Sequence, residues 1–323
     1  MTGVAGNYYV LYIGRQTAKG VPQTTPQYAL KLTGGSLDAQ KTEIELQETD
    51  GTRQGGKTVA TAIQVAGSPD MYVRPDDFGL MAYGVLGANA DSGTAPNYIH
   101  TATMVANGAT PYFTIYKAIG GSVLVDRYVD CRITAMKLKG QAGQAITATW
   151  DIAGLVPSFG QSAPVKAVVT QAPLVYPNLR VHLGGSAPGT IENFEVDLAN
   201  NPDVIQADNS MSPFDVALGR LACSGTYTML FTDDAEYRNF FTGSPTGTVP
   251  ATTIYTERLE FEFSVSEFLG INAAFNSVAM TAYPVNPDVS GKPIRVAVGW
   301  RAEPDPTLSN YCQIVTSNAV AAY

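Results

Sequence analysis

The chain has 323 residues, a formal net charge of −8 and only 15% charged residues, against about 25% in ordinary globular proteins. That length is a soft prior for about two domains and is ample to bury two cores. The acidic balance excludes the basic footprint of a protein that grips nucleic acid, although an acidic wall would repel phosphate and let DNA slip past.

Gly, Ala, Thr, Ser, Asn and Gln replace the missing charge. Such a surface suits extensive subunit contact, because charged residues are depleted at interface cores. Three cysteines, Cys131, Cys223 and Cys312, are widely spaced and form no C-x-x-C pair, so they read as small buried residues of a reducing compartment. The N-terminus has no signal-peptide pattern, and no apolar run is long enough for a membrane-spanning helix.

Strand signals dominate in chain order. Residues 8–13 are aromatic and β-branched, and 28–33 alternate up to Gly34-Gly35. Residues 42–48 alternate with Ile44 and Leu46 on one face and glutamates on the other. A turn signal at 49–56 and renewed alternation over 57–65 predict a long hairpin with a polar, glycine-rich tip. Two readings of that tip stand: a solvated loop, or an arm that docks on a neighbouring subunit. After Gly67-Ser68 comes an Asp76-Asp77 pair and a helix in which Phe78, Met81, Ala82 and Val85 share a face. Residues 87–96, rich in Gly, Asn, Ala and Ser, read as a loop. Residues 112–116 and 123–125 flank a Gly120-Gly121 hairpin turn, and 127–139 and 141–152 close a first unit.

The second unit repeats the order. A strand at 191–198, a turn at 200–203 and a strand at 221–231 holding Ser224-Gly225 lead to a helix from Asp233. Glu236 completes a capping-box-like arrangement there, and Tyr237, Phe240 and Phe241 share a face expected to lie on a sheet. Residues 252–263 place Leu259, Phe261 and Phe263 opposite Arg258, Glu260 and Glu262; strands at 272–283 and 294–301 follow. Asp76 and Asp233 lie 157 residues apart, and the two tryptophans, Trp150 and Trp300, lie 150 apart. This spacing predicts a tandem duplication. The expected fold is mainly β: two tandem β-sandwich or partial-barrel domains, each with one packed α-helix, over residues 1–160 and 191–323, with a connector at 161–190.

Chemistry-bearing motifs are scarce. His100 and His182 lie near no triad pattern, and no nucleophile elbow, phosphate loop or dinucleotide fingerprint occurs. Asp76, Asp77, Asp233 and Asp234 read as helix caps facing the positive dipole end in preference to paired acids or metal ligands. The spacing of Asp203, Asp208 and Asp215 fits no calcium loop. No catalytic residue, metal or cofactor is expected.

The order of alternating strand, long hairpin over 44–59, Gly67-Ser68 strand, Asp-led helix ending at Leu86-Gly87 and closing hairpin, followed by a second set around Ser224-Gly225 and 233–243, resembles the major tail tube proteins of long-tailed (siphovirus-like) bacteriophages. The likeness covers most of 7–155 and 190–303 and is one of pattern. It implies a virion structural protein, assembled in the bacterial host cytoplasm, whose six-fold rings stack into a hollow tail tube for delivery of double-stranded DNA. With two copies per chain, three molecules make a pseudo-hexameric ring; a hexamer is the alternative. The resemblance also implies a tape measure protein and a tail terminator as partners. Candidates for the inter-subunit arm are Glu45, Gln47, Thr49, Asp50, Arg53 and Lys57. Candidates for the bore are Glu43, Glu45, Glu260 and Glu262. The competing expectations are a two-domain β-sandwich adhesin or carbohydrate-binding surface protein, for which the seventeen tyrosines leave room, a capsid-decorating or baseplate protein, and an enzyme with an unrecognised site.

Overall fold

The computed structural model describes residues 6–47, 56–185, 187, 190–266, 268–287, 291–304 and 311–323. The fold is mainly β and of sandwich type, with two α-helices among the described residues. The first half holds β1 (Tyr9–Arg15), β2 (Tyr28–Leu30), β3 (Leu32–Gly34), β4 (Leu37–Glu45), β5 (Thr58–Gly67), β6 (Asp70–Tyr72), α1 (Pro75–Leu86), β7 (Gly87–Thr94), β8 (Asn97–Met104), β9 (Phe113–Ile119), β10 (Leu124–Gln141), β11 (Thr147–Gly154) and β12 (Val156–Ser158). The second holds β13 (Leu179–Leu183), β14 (Ile191–Ala199), β15 (Pro202–Gln206), β16 (Pro213–Leu218), β17 (Ala222–Leu230), α2 (Ala235–Thr242), β18 (Thr256–Ser266), β19 (Leu269–Ala282), β20 (Arg295–Ala302) and β21 (Cys312–Asn318).

The antiparallel pairing order β1–β9–β10–β11–β6–β3 in the first half recurs as β13–β18–β19–β20–β17–β14 in the second. The register recurs as well: Trp150 lies opposite Met136, and Trp300 lies opposite Met280. β12 pairs with the N-terminal half of β10, and β21 with that of β19. Each helix follows its β6 or β17 strand and stops on a glycine. Gly87 (φ 96°) and Gly243 (φ 71°) adopt the left-handed conformation that L side chains resist, and their amides donate to the Tyr83 and Asn239 carbonyls.

The halves join through two ladders among the described residues, β10 with β14 and β8 with β21. β10 is 18 residues long, and its C-terminal half pairs with β11 on one side and β14 on the other, from Ala135 opposite Ala199 to Gln141 opposite Asn193. A continuous run β11–β10–β14–β17–β20–β19–β18–β13 results. One hydrophobic cluster spans both halves. Phe78 meets Trp150 edge-on at 5.3 Å, Phe275 meets Trp300 at 4.8 Å and Phe194 meets Phe261 at 4.9 Å. These large buried rings supply much of the apolar area that drives folding.

Two expectations change, and one further strand appears. Residues 87–94 form β7, paired along its length with β8, because ladder hydrogen bonds outweigh a composition poor in strand formers. Residues 312–318 form β21, with Cys312, Ile314, Thr316 and Asn318 buried on one face. Ile44, expected on an apolar face, is exposed, because β4 leaves the body after Leu37.

Candidate assembly surface

The sheet that crosses both halves has two unlike faces, because side chains alternate along each strand. Inward, Met136 and Leu138 of β10, Phe194, Val196 and Leu198 of β14, and Phe261 and Phe263 of β18 are buried. Outward, Lys137 and Lys139 stand directly opposite Asp197 and Glu195 across the junction. Lys137 Nζ lies 3.4 Å from Glu195 and 3.7 Å from Asp197, and Lys139 Nζ lies 3.1 Å from Glu195. Asp197 first, then Glu195, holds the Lys137 ammonium above its usual pKa. These pairs are solvent-facing, so each contributes little to stability; their effect is on register and local charge.

The same pattern continues outward. Arg295 makes a two-pronged contact with Glu192, at 2.7 and 3.0 Å, a planar fork suited to a carboxylate. Arg258 pairs with Glu260, Arg301 Nη2 lies 2.8 Å from Glu303, and His182 Nε2 lies 3.2 Å from Glu262 Oε2. The outer face is thus polar and largely neutralised pair by pair. Of the bore candidates, Glu260 and Glu262 lie on this face. Glu43 and Glu45 do not; they sit on the projecting β4–β5 hairpin. The residues that sequence reasoning missed are Lys137, Lys139, Glu195 and Asp197. Their signal was present as Lys-x-Lys and Glu-x-Asp at strand spacing, but no local pattern shows that the two strands pair.

The β4–β5 hairpin forms the base of the arm. β4 buries only Leu37, and the ladder continues past it through the Leu46 amide to the Lys57 carbonyl at 2.9 Å. Glu45, Gln47 and Lys57 are exposed here. Thr49, Asp50 and Arg53 lie outside the described residues.

The four helix-start aspartates occupy first turns or the residues just before, but the geometry differs from simple capping. The N-cap of α1 is Arg74, without a side-chain cap bond, and Pro75 opens the helix. Asp76 accepts from Gln171 Nε2 at 3.2 Å, and its amide donates to Gln171 Oε1 at 3.0 Å. The Asp77 carboxylate is fully buried with no side-chain partner, and burial pushes its pKa up to about 7 despite the nearby Arg74 guanidinium and the backbone amides of Asp77 and Phe78. Asp234 is the N-cap of α2 and its carboxylate binds Arg238 Nε at 2.6 Å; Asp233 Oδ1 takes the Ala235 amide at 3.0 Å. The preceding turn takes over the cap because Asp233 already folds back on its own backbone.

His100 is buried where the halves meet. Nδ1 lies 2.6 Å from Asp91 Oδ1, Nε2 lies 2.8 Å from the Val320 carbonyl, and the Tyr323 ring lies 4.1 Å away. This cluster clasps β8 to the segment after β21. Cys131, Cys223 and Cys312 are buried and free. The hollow between the halves, about 450 Å³ and lined by Leu86, Met104, Asn200, Leu221 and Tyr311 among others, brings no acid–base pair or nucleophile together. No metal-binding group of three or more His, Cys, Asp or Glu occurs among the described residues, and no helix among them is long and apolar enough to cross a membrane.

Strand ladders, a projecting hairpin and a charge-paired sheet face define a scaffold of β-structural type. Residues 7–300 match the family described as phage tail tube protein, and the chain belongs to that family. Its role is therefore structural, as a component of the phage virion tail. Comparison with curated proteins finds no match.

Proposed function

We propose that the chain is a tandem of two tail tube units, residues 1–160 and 191–323 joined by 161–190, that assembles into stacked rings around a hollow axis. Three molecules then supply six units per ring. The observation that carries this reading is the β10–β14 pairing, in which the sheet of one half runs directly into the sheet of the other. By the recurrent register, the C-terminal end of β19 stands where that of β10 stands, and β3 stands where β14 stands. A sheet that passes from unit to unit within the chain passes by the same geometry from chain to chain, so strand edges are closed and not left as aggregation sites. A contact of this head-to-tail kind closes into a ring or extends into a filament.

The polar face carrying Lys137, Lys139, Glu195, Glu260 and Glu262 is the surface we assign to the bore. Its charges are matched to one another, so it exerts little net pull on phosphate and lets double-stranded DNA pass without specific binding. The long-tailed phage type, the tape measure and terminator partners and assembly in the host cytoplasm belong to the same proposal, as does a non-catalytic role. Negative-stain microscopy of the purified protein tests it. Rings or tubes support the reading, and a stable monomer at high protein concentration contradicts it.

A further inference from the structure

The two helices follow equivalent strands but differ in cover. α1 has ten of its twelve residues buried. Part of that cover comes from the other half: β19 and β21 pack against α1. The β7–β8 hairpin that follows α1 also pairs with β21, from Thr103 opposite Gln313 to Tyr98 opposite Asn318. α2 has one buried residue of eight, Asn239. Phe240 and Tyr237 touch the Tyr283 ring, yet Tyr237 remains 37% exposed and Phe241 44%. The segment 244–255 takes the chain position of the β7–β8 hairpin and contains no strand. It folds back on the helix through the Ala251 amide, which donates to the Phe241 carbonyl at 2.9 Å. Val249 and Ile254 within it are 73% and 64% exposed. Tyr237, Phe241, Val249 and Ile254 are thus apolar residues exposed on one short helix and the segment that folds back on it.

The first half carries a matching feature. β12 is the counterpart of β21: it follows β11 as β21 follows β20, and each adds to the N-terminal half of the long strand. β21 pairs with strands on both sides, β19 and β8. β12 pairs only with β10 among the named strands, and Val156 and Phe159 are 41% and 60% exposed beside it.

We infer that the α2 face of one copy, with Tyr237, Phe241, Val249 and Ile254, packs on the β12 region of a second copy, with Val156 and Phe159. The contact repeats between chains the cover that β21 gives α1 within the chain. It rests on the proposed head-to-tail assembly and deepens it, because it fixes which end of one copy meets which end of the next. The contact is heterologous, second half to first half.

Cross-linking with direction tests this. Val249→Cys and Phe159→Cys proteins are treated with a short bismaleimide, alone and mixed, and the same samples are imaged; the native cysteines are buried, and unsubstituted protein is the control. Cross-linked dimer in the mixture, severalfold above either variant alone, is expected. Tubes without that excess overturn the contact and leave the tube reading standing. Cross-linked dimer without tubes upholds the contact and removes the tube reading; neither product overturns both. A Tyr237→Ser/Phe241→Ser double variant should melt within a few degrees of the parent and need at least about tenfold more protein to assemble, as loss of exposed aromatic anchors implies. Assembly at the parent concentration would overturn the contact.

Discussion

Asp77 carries a charge problem that the fold resolves by protonation. In the unfolded chain its carboxyl titrates near about 3.9. In the folded chain burial raises it to about 7. Between those values the native state holds a proton that the unfolded state has released, so stability falls as pH rises through this window and levels off above it. Asn at this position has nearly the same shape and no charge. Asp77→Asn should therefore flatten the slope of melting temperature between pH 4 and 7 and stabilise the protein by ~1–3 kcal/mol at pH 8. Glu257, raised to about 7 by burial and then by Glu236, adds a slope of the same sign, so the informative quantity is the difference between variant and parent. An equal slope in both proteins would remove Asp77 as its source. Gly225 illustrates a second constraint at this scale. A Cβ there would lie 2.1 Å from the Glu195 carbonyl oxygen and 2.7 Å from the Trp300 ring. Backbone and a packed indole yield little, so Gly225→Ala should cost ~1–3 kcal/mol in urea unfolding; a change within error would show that the β14–β17 pair is looser than its geometry.

Among elements, the β4–β5 hairpin has a distal part, from Gln40 to Glu45 and from Thr58 to Thr61, that buries no residue. Its buried residues, Leu37 and Val65, both lie at its base, so removing residues 49–56 should leave melting of the monomer nearly unchanged while abolishing polymerisation, read by microscopy and by light scattering. Tubes of normal appearance from that deletion would remove the arm assignment. Elements carrying their own local signal were legible in the sequence. The β9–β10 hairpin announced itself through Gly120-Gly121, both of which adopt positive φ. β18 did so through clean alternation, and α1 through its spaced apolar residues and terminal glycine. Elements held by distant partners were not. β7 reads Gly-Ala-Asn-Ala-Asp-Ser-Gly-Thr and is a strand only because β8 lies beside it. The β15–β16 hairpin fills the stretch between the turn read at 200–203 and the strand read at 221–231, where no element was expected. The face of α2 was read as core, but its amphipathic spacing gives a direction and not the presence of a partner. The arm and bore assignments share this limit: alternation separates two faces of a strand and leaves open which neighbour each one meets.

For the whole molecule, the repeated pairing order and the matched register of Trp150 and Trp300 argue for two equivalent units more directly than the spacing of the tryptophans in the chain. Of the two ladders between them, β10 against β14, with its Lys137–Asp197 and Lys139–Glu195 pairs, is the pattern from which the contact between molecules is reasoned. The outer sheet face follows the same logic: its charges are balanced locally although the chain as a whole is acidic. Counting chains per ring tests the central claim most directly, by mass per length of purified tubes together with the axial repeat from their power spectra. The account predicts three chains of 34.2 kDa in each ring, with six-fold modulation of the wall. Six chains per ring, or a wall with three-fold modulation alone, would contradict it.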